Sequence, residues 1–167
     1  MRLLEIREIN KKEIPNCVSV IRDSFLTVAQ AFQLTRENAP RYVAFSISEK
    51  ELKKQWKNAL YAMFGCFTPE EQLIGFYALC DLKDGSCELN HLCVIPSQRH
   101  QGVGRMLLKD ALKRAEASGF QEMRLSLIEE NKELKDWYLS FGFQHTDVRR
   151  FEHFPFTCGY MMKPLQN

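Results

Sequence analysis

The sequence contains no long run of apolar residues. Its apolar stretches fall well short of the ~20 residues that cross a bilayer as a helix. The amino-terminal segment MRLLEIREIN also carries charges where a secretory signal would have its apolar centre. We therefore predict no membrane partner and a cytoplasmic location.

The six cysteines form no C-x-x-C pair, and several lie within apolar segments. Thiols in such segments usually pack as small hydrophobic groups. The spacing excludes the common zinc and dithiol motifs, so we expect reduced, structural cysteines and no bound metal. Cys93 is included in this expectation, because it lies among apolar strand residues.

Neither sign of charge dominates the sequence. Lysine and arginine number 23 against 21 acidic residues, which gives a formal net charge of +2. A nucleic-acid-binding domain usually carries a strongly basic face, so we predict no nucleic-acid partner.

The hydrophobic share of 45% and charged share of 26% are typical of folded proteins. A length of 167 residues suits one domain, predicted over residues 1–167.

The amino-terminal half predicts a strand, helices and then an antiparallel meander. The segment LLEIREI alternates like an edge strand, and Asn10 can cap a helix that continues to about Phe25. Residues 34–60 suggest two helical pieces separated at Pro40, the second with a capping box from Ser48 to Glu51. Three strand-like runs follow: ALYAMFGCF, LIGFYALCDL and CELNHLCVI.

The carboxy-terminal half predicts a helix from Val103 to a stop at Ser118-Gly119, and then the strand EMRLSLI. Because a helix joins this strand to the end of the meander, the two strands can run parallel. A short helix, NKELKDWYLS, and two further strands, FQHTDVRRF and TCGYMMK, complete the chain. The pattern predicts an α+β protein.

Two of the eight glycines, Gly102 and Gly104, stand at the start of the helix after the meander. A helix N-terminus has unpaired N–H groups and a partial positive charge, and glycine leaves room for a phosphate to approach. A tight turn without a ligand would explain the same pair. A P-loop is excluded because Arg105 follows Gly104, and a dinucleotide fingerprint because Leu107 is not glycine.

Two segments carry a resemblance to the GNAT acetyltransferase superfamily. The run HLCVIPSQRHQGVGRMLL, with Arg99-x-x-Gly102-x-Gly104, resembles the family's acetyl-CoA signature Q/R-x-x-G-x-G/A. The run NKELKDWYLSFGF is similar to its second block, with Asn131 and Tyr138 seven residues apart. The tail FEHFPFTCGYM is similar to an uncharacterised bacterial branch. The two blocks cover about residues 87–143.

The resemblance implies a GNAT fold: a mixed, mostly antiparallel sheet with helices on both faces and strands four and five splayed around acetyl-CoA. Main-chain amides of residues 101–105 would hold the pyrophosphate, and main-chain groups of Leu92 and Val94 the pantetheine arm. The implied cofactor-binding residues are Leu92, Cys93, Val94, Arg99, His100, Gln101, Gly102, Val103, Gly104, Arg105 and Asn131. Asn131 could instead cap its helix. Family habit also implies a homodimer.

Acetyl transfer to an amine needs a base, because an alkylammonium cannot attack a thioester until it loses its proton. Strand alternation places Glu88 on one face with Leu92 and Val94, and His91 on the other with Leu89 and Cys93. We prefer Glu88, which lies eleven residues before Arg99, the offset of the base in the family's histone acetyltransferases. A solvated glutamate at 88 remains the alternative, and His91 could be a packed histidine or an acceptor contact.

Tyr138 matches the family's usual general acid toward the CoA thiolate, and a phenol stays protonated at neutral pH. Simple aromatic packing is the alternative.

The predicted function is acetyl transfer from acetyl-CoA to a primary amine of a small molecule or peptide, by direct attack in a ternary complex. An acyl-CoA-binding module without turnover, or an interaction protein that keeps only the fold, are the competing hypotheses.

Overall fold

A mostly antiparallel sheet forms the centre of the computed structural model, which describes residues 3–166. Within those residues the strands are β1 (Glu5–Glu8), β2 (Tyr61–Phe67), β3 (Leu73–Asp81), β4 (Ser86–Val94), β5 (Glu122–Ile128), β6 (Gln144–Arg150) and β7 (Thr157–Pro164). Their order in the sheet is β1-β2-β3-β4-β5-β7-β6. The β1–β4 segment is antiparallel throughout, and β4 pairs with β5 in parallel. The predicted meander and parallel pair are confirmed.

The helices are α1 (Ile14–Ala31), α2 (Val43–Ser46), α3 (Glu49–Lys57), α4 (Val103–Ala117) and α5 (Lys132–Ser140). Helix α1 continues six residues beyond the predicted end, because Val28 and Ala29 extend its apolar stripe over a cluster that includes Tyr42. Helix α3 begins as predicted, with the Ser48 hydroxyl accepting a hydrogen bond from the Glu51 N–H at 3.2 Å.

The helical piece predicted before Pro40 is wrong. Residues 35–38 form a turn in which the Thr35 N–H donates to Asn38 Oδ1 at 2.8 Å. The Asn38 N–H in turn donates to Thr35 Oγ1 at 3.1 Å. Short polar side chains that satisfy the backbone in this way compete with helix formation.

The hydrophobic core has one part on each face of the sheet. On one face, Leu107 and Leu108 of α4 and Tyr138 of α5 pack against the sheet. On the other, Ile21 of α1 and Leu52 of α3 do so. The prediction of helices on both faces is confirmed. Among residues 3–166, no helix combines the length and the apolar character that a membrane crossing needs.

Candidate functional site

The strands β4 and β5 part in the middle of the sheet. They pair at three positions, the last joining Glu88 to Arg124. Beyond that point β4 stays paired with β3 as far as Val94, and β5 stays paired with β7 as far as Ile128. The predicted splay of strands four and five is therefore confirmed, and among residues 3–166 no strand pairs with that edge of β4 beyond Glu88.

The Val94 backbone faces the gap between the strands. The Ile95 N–H donates to the Ile74 carbonyl of β3 at 2.9 Å. Successive strand residues direct their backbone groups to alternate sides, so the N–H and C=O of Val94 point away from β3. The carbonyl accepts a hydrogen bond from Arg99 Nε at 3.1 Å. The Val94 N–H is left directed into the gap.

A β-bulge interrupts β4 at His91. Asn90 pairs with Ala78 and Cys93 pairs with Phe76, so His91 and Leu92 together oppose a single residue of β3. His91 has a φ of +55°, a left-handed conformation that is uncommon outside glycine. Its ring lies edge-on to Phe25 of α1, with centroids 6.2 Å apart.

The bulge overturns the predicted alternation along β4. Cys93 packs in the cluster under α1, on the same face as Asn90 and Glu88. Leu92 and Val94 pack in the cluster under α4 and α5, together with Leu89. The extra residue reverses the side to which every later side chain points. Alternation therefore gives no reason to prefer Glu88 over His91 as the base.

A cavity of about 830 Å³ lies beside the free half of β4. Most of the predicted cofactor-binding residues line it: Leu92, Cys93, Val94, Arg99, His100, Gly102, Gly104, Arg105 and Asn131. Tyr138 lines it as well. Gln101, Val103 and Glu88 are not among the lining residues, and the Val103 side chain is buried in the core.

The start of α4 lies at this cavity, because Gly102 and Gly104 both line it. Gly102 occupies the N-cap with a φ of +85° and has no side chain that could cap the first N–H groups of the helix. A Cβ at Gly104 would meet nothing nearer than Trp137 at 3.8 Å. The open backbone and the helix dipole together suit an anion.

Asn131 caps helix α5 and also lies at the cavity. Its Oδ1 accepts a hydrogen bond from the Leu134 N–H at 3.2 Å, so it caps α5. It also lines the cavity. The cap fixes the start of the helix whose next turns carry Trp137 and Tyr138.

Tyr138 is buried in an aromatic setting and still lines the cavity. Its ring lies edge-on to Trp137 and Phe143, with centroids 5.0 Å and 5.4 Å away. Burial raises the pKa of the phenol, and the nearby Cys93 adds to that effect. The phenol is therefore held in its protonated form at neutral pH.

Arg99 joins the cavity edge of β4 to helix α1. Besides its bond to the Val94 carbonyl, Nη1 donates to Thr27 Oγ1 and Nη2 to the Ser24 carbonyl, each at 2.7 Å. The sequence gives no signal for this arrangement, because the partners lie 72 and 75 residues earlier in the chain.

The two candidate bases are both partly buried. Burial raises the pKa of the Glu88 carboxyl, and a hydrogen bond with Asn90 partly offsets the effect. Burial lowers the pKa of His91 to about 4. The His91 Nδ1 atom is buried and has no hydrogen-bond partner among residues 3–166.

Sequence reasoning missed the α1 side of the cavity and much of α5. The additional lining residues are Ser24, Phe25, Val28, Glu133, Leu134, Asp136, Trp137 and Ser140. The helical spacing of Asn131, Leu134 and Tyr138 could have indicated the α5 residues, because residues three and four apart share a face. No local pattern distinguishes Ser24 from the other polar residues of α1.

Residues 52–145, more than half of the chain, match the family described as "Acetyltransferase (GNAT) domain". The chain belongs to the GNAT acetyltransferase family. The resemblance of the glycine motif and of the Asn131–Tyr138 block to that family is thus confirmed.

One curated relative of this GNAT protein is distant in sequence. N-acetyltransferase family 8 member 3 of Rattus norvegicus is 28% identical over 119 residues, covering 65% of this chain and 52% of the relative. The chain thus spans about half the length of that relative.

Two solved structures extend the likeness to almost the whole chain. The PaiA N-acetyltransferase of Thermoplasma acidophilum, in complex with coenzyme A, is 23% identical with a TM-score of 0.80, over 97% of this chain and 99% of that one. An Escherichia coli ribosomal-protein alanine N-acetyltransferase is 19% identical with a TM-score of 0.78, over 99% and 96%. At these identities the likeness establishes the fold.

Proposed function

We propose that this GNAT protein transfers the acetyl group of acetyl-CoA to a primary amine of a small molecule or peptide. The observation that carries the proposal is the combination found in one cavity. The uncapped, glycine-lined start of α4 suits a pyrophosphate, the open edge of β4 suits an amide chain, and the Tyr138 phenol is available as a proton donor. Acetyl-CoA has a pyrophosphate, an amide chain and a thiol leaving group, so it can use all three.

Acetyl-CoA would lie along β4 and end at α4. The main-chain N–H groups of residues 101–105 hold the pyrophosphate, with the exposed Arg105 beside them. The Val94 N–H, directed into the gap, pairs with the pantetheine arm as a neighbouring strand would. Acetyl-CoA supplies the activated acetyl group.

Tyr138 acts as the general acid. The departing CoA sulfur gains negative charge as its bond to the acetyl carbon breaks, and the Tyr138 hydroxyl transfers a proton to it. A buried phenol with a raised pKa is fully protonated at neutral pH and therefore ready to donate. The aromatic packing on Trp137 and Phe143 holds the ring in place.

Glu88 acts as the general base through water. It does not line the cavity, so a water molecule must relay the proton from the ammonium to the carboxylate. Its raised pKa makes it a stronger proton acceptor than an exposed glutamate. His91, with its pKa lowered to about 4, is the weaker acceptor of the two.

Direct attack by the amine on the thioester agrees with the protonated state of the Cys93 thiol. The amine nitrogen bonds to the acetyl carbon, the carbon–sulfur bond breaks, and an N–H near Leu92 polarises the carbonyl oxygen. An acyl-enzyme route would need a Cys93 thiolate. Burial raises the pKa of that thiol to about 12, so the nucleophilic form is scarce at neutral pH.

An acyl-CoA-binding module without turnover is the second candidate. One observation favours it: Glu88, the preferred base, lies outside the cavity lining. Binding of acetyl-CoA without release of thiol in the presence of any amine would support this alternative.

The test is release of CoA thiol from acetyl-CoA across a panel of polyamines, amino acids, aminoglycosides and peptides with a free N-terminus or lysine. We expect release with one class of amine and strong loss in Tyr138→Phe. The control is Tyr77→Phe, which removes a phenol hydroxyl bonded to Asp110 at 2.6 Å on the α4 side of the sheet. Equal rates in both variants would contradict the assignment of Tyr138.

A further inference from the structure

Ser24 carries a buried hydroxyl with no hydrogen-bond partner among the described residues. The residue is 2% exposed, lies on α1 and lines the cavity. Other hydroxyls of α1 are satisfied: Ser19 donates to the Pro15 carbonyl at 3.3 Å, and Thr27 to the Ser24 carbonyl at 2.8 Å. Buried polar groups are nearly always paired, so an unpaired hydroxyl on a residue that lines a cavity points to a ligand.

The position of Ser24 is fixed by Arg99. The guanidinium donates to the Ser24 carbonyl and to Thr27 Oγ1, and its third bond reaches the Val94 carbonyl on β4. Helix α1 is therefore tied at Ser24 to the strand edge that faces the cavity. A hydroxyl on such a rigid support keeps its position when a ligand enters.

The Ser24 hydroxyl lies close to Cys93 and, through it, to Tyr138, at the end of the cavity where the proposed reaction would take place. Ser24 lies beside the Cys93 thiol, whose pKa it helps to lower against the effect of burial. Cys93 in turn lies near enough to Tyr138 to raise the pKa of that phenol. The contact with Cys93 is at most a hydrogen bond to a thiol, which is a weak partner, so a carbonyl oxygen could replace it with a stronger bond.

We propose that the Ser24 hydroxyl donates a hydrogen bond to the carbonyl oxygen of the bound acetyl group. The inference rests on the proposed function, because it places acetyl-CoA in this cavity. The carbonyl oxygen gains negative charge as the amine attacks, and a fixed donor stabilises that charge more than it stabilises the ground state. Ser24 is in this account a catalytic residue that acts from α1, opposite the main chain of β4.

Binding measurements test the contact without any amine. Dissociation constants for acetyl-CoA and for CoA are measured with wild type, Ser24→Ala and Ser19→Ala. Loss of one hydrogen bond should weaken acetyl-CoA binding by about threefold to tenfold in Ser24→Ala, while CoA binding stays unchanged. Ser19→Ala alters an exposed serine on the same helix and should change neither constant.

Two further readouts separate a catalytic from a structural hydroxyl. Ser24→Ala should unfold at nearly the same urea concentration as wild type, because the free protein loses only a weak contact with the Cys93 thiol. The infrared stretch of an isotope-labelled acetyl carbonyl should shift to lower frequency on binding to wild type. That shift should be smaller in Ser24→Ala.

Three results would overturn the proposal: equal acetyl-CoA affinity in wild type and Ser24→Ala, an equal loss of affinity for acetyl-CoA and CoA, or an effect confined to the KM of the amine. The proposed function fails separately if wild type binds acetyl-CoA but transfers nothing, since the affinity ratio is measured without an acceptor. Absence of acetyl-CoA binding to wild type would overturn both.

Discussion

The cavity has two walls of different construction. The first comprises the end of β4, the loop before α4 and helix α5, all within residues 92–140. It offers mainly backbone groups, glycines and the Tyr138 phenol. The second is helix α1, which contributes the side chains of Ser24, Phe25 and Val28. Backbone groups are the same in every protein, so the first wall is suited to the invariant part of a cofactor. Side chains differ between proteins, so the second wall is suited to selecting the acceptor.

The α1 wall is also connected to a different part of the molecule. The Phe25 ring packs edge-on against Tyr42, with centroids 6.4 Å apart, and Tyr42 packs on Phe156 at 6.0 Å. These contacts link α1 to the segment before α2 and to the approach to β7. We therefore expect selectivity for the amine to depend on this aromatic group, and cofactor affinity to depend on the first wall.

The sharpest test of the first wall is Tyr138→Phe. Loss of the proton donor should lower kcat by roughly 10²-fold or more, while the dissociation constant for acetyl-CoA stays the same. Steady-state thiol release at saturating acetyl-CoA measures the first quantity, and calorimetry the second. A variant with full turnover would show that Tyr138 contributes only packing.

Gly104→Val tests whether the first wall depends on open backbone. A branched side chain there should block one charge-assisted hydrogen bond to phosphate, worth about 1.5–3 kcal/mol, and so weaken CoA binding by roughly tenfold to hundredfold. The fold should tolerate it, because Gly104 has an ordinary helical backbone and a Cβ has room.

Gly104→Ala is the graded control. A single methyl should leave CoA affinity nearly unchanged, and it should stabilise the helix by about 0.5–1 kcal/mol. Calorimetry and urea unfolding measure the two effects. Equal CoA affinity in the valine variant would mean that the pyrophosphate does not approach α4 at this point.

Arg99→Gln would remove the hydrogen bonds that join the two walls of the cavity. Its guanidinium bonds to α1 and β4 should together contribute about 2 kcal/mol to the free energy of unfolding, measured by urea denaturation. Arg105→Gln provides the comparison. The exposed Arg105 stacks over Phe141 at 5.3 Å, and its substitution should cost about 0.5 kcal/mol. Equal losses in the two variants would show that Arg99 does not hold the walls together.

Among the effects on stability, Glu88→Gln should produce the smallest, a change in how the free energy of unfolding depends on pH. Burial raises the pKa of Glu88 in the folded protein above that of the unfolded chain, so the folded state binds the proton more tightly. The wild type therefore loses stability as pH rises from about 4.3 through the raised pKa.

The glutamine variant lacks that loss. Its unfolding midpoint in urea should match that of the wild type in acid and exceed it near neutrality. Parallel curves for the two proteins would show that the carboxyl titrates normally at the fork between β4 and β5. In that case Glu88 would be no stronger a base than an exposed glutamate.

The first wall could be predicted from the sequence because its signals are local. The glycine motif occupies six consecutive residues, and Asn131 and Tyr138 lie seven apart on one helix face. The physical requirements of an open helix start and a helix cap act over the same short distances. The antiparallel meander and the parallel β4–β5 pair followed from the alternation of strand and helix patterns.

The second wall and the bulge could not be predicted in this way. The bulge at His91 falls in the segment Asn-His-Leu, which contains no glycine, so the sequence predicts strict alternation and places the later side chains on the wrong face. The attachment of Arg99 to Ser24 and Thr27 joins residues over 70 positions apart, and depends on how α1 packs across the sheet. Tertiary packing alone determines such contacts.

The most direct test of the central claim is transfer of a deuterium-labelled acetyl group from acetyl-CoA to the amine panel, followed by mass spectrometry of the amines. We predict that one class of primary amine gains the labelled acetyl group with wild type, and that Tyr138→Phe transfers far less. Binding of labelled acetyl-CoA with no labelled amine of any class would contradict the account and favour a module that only binds acyl-CoA.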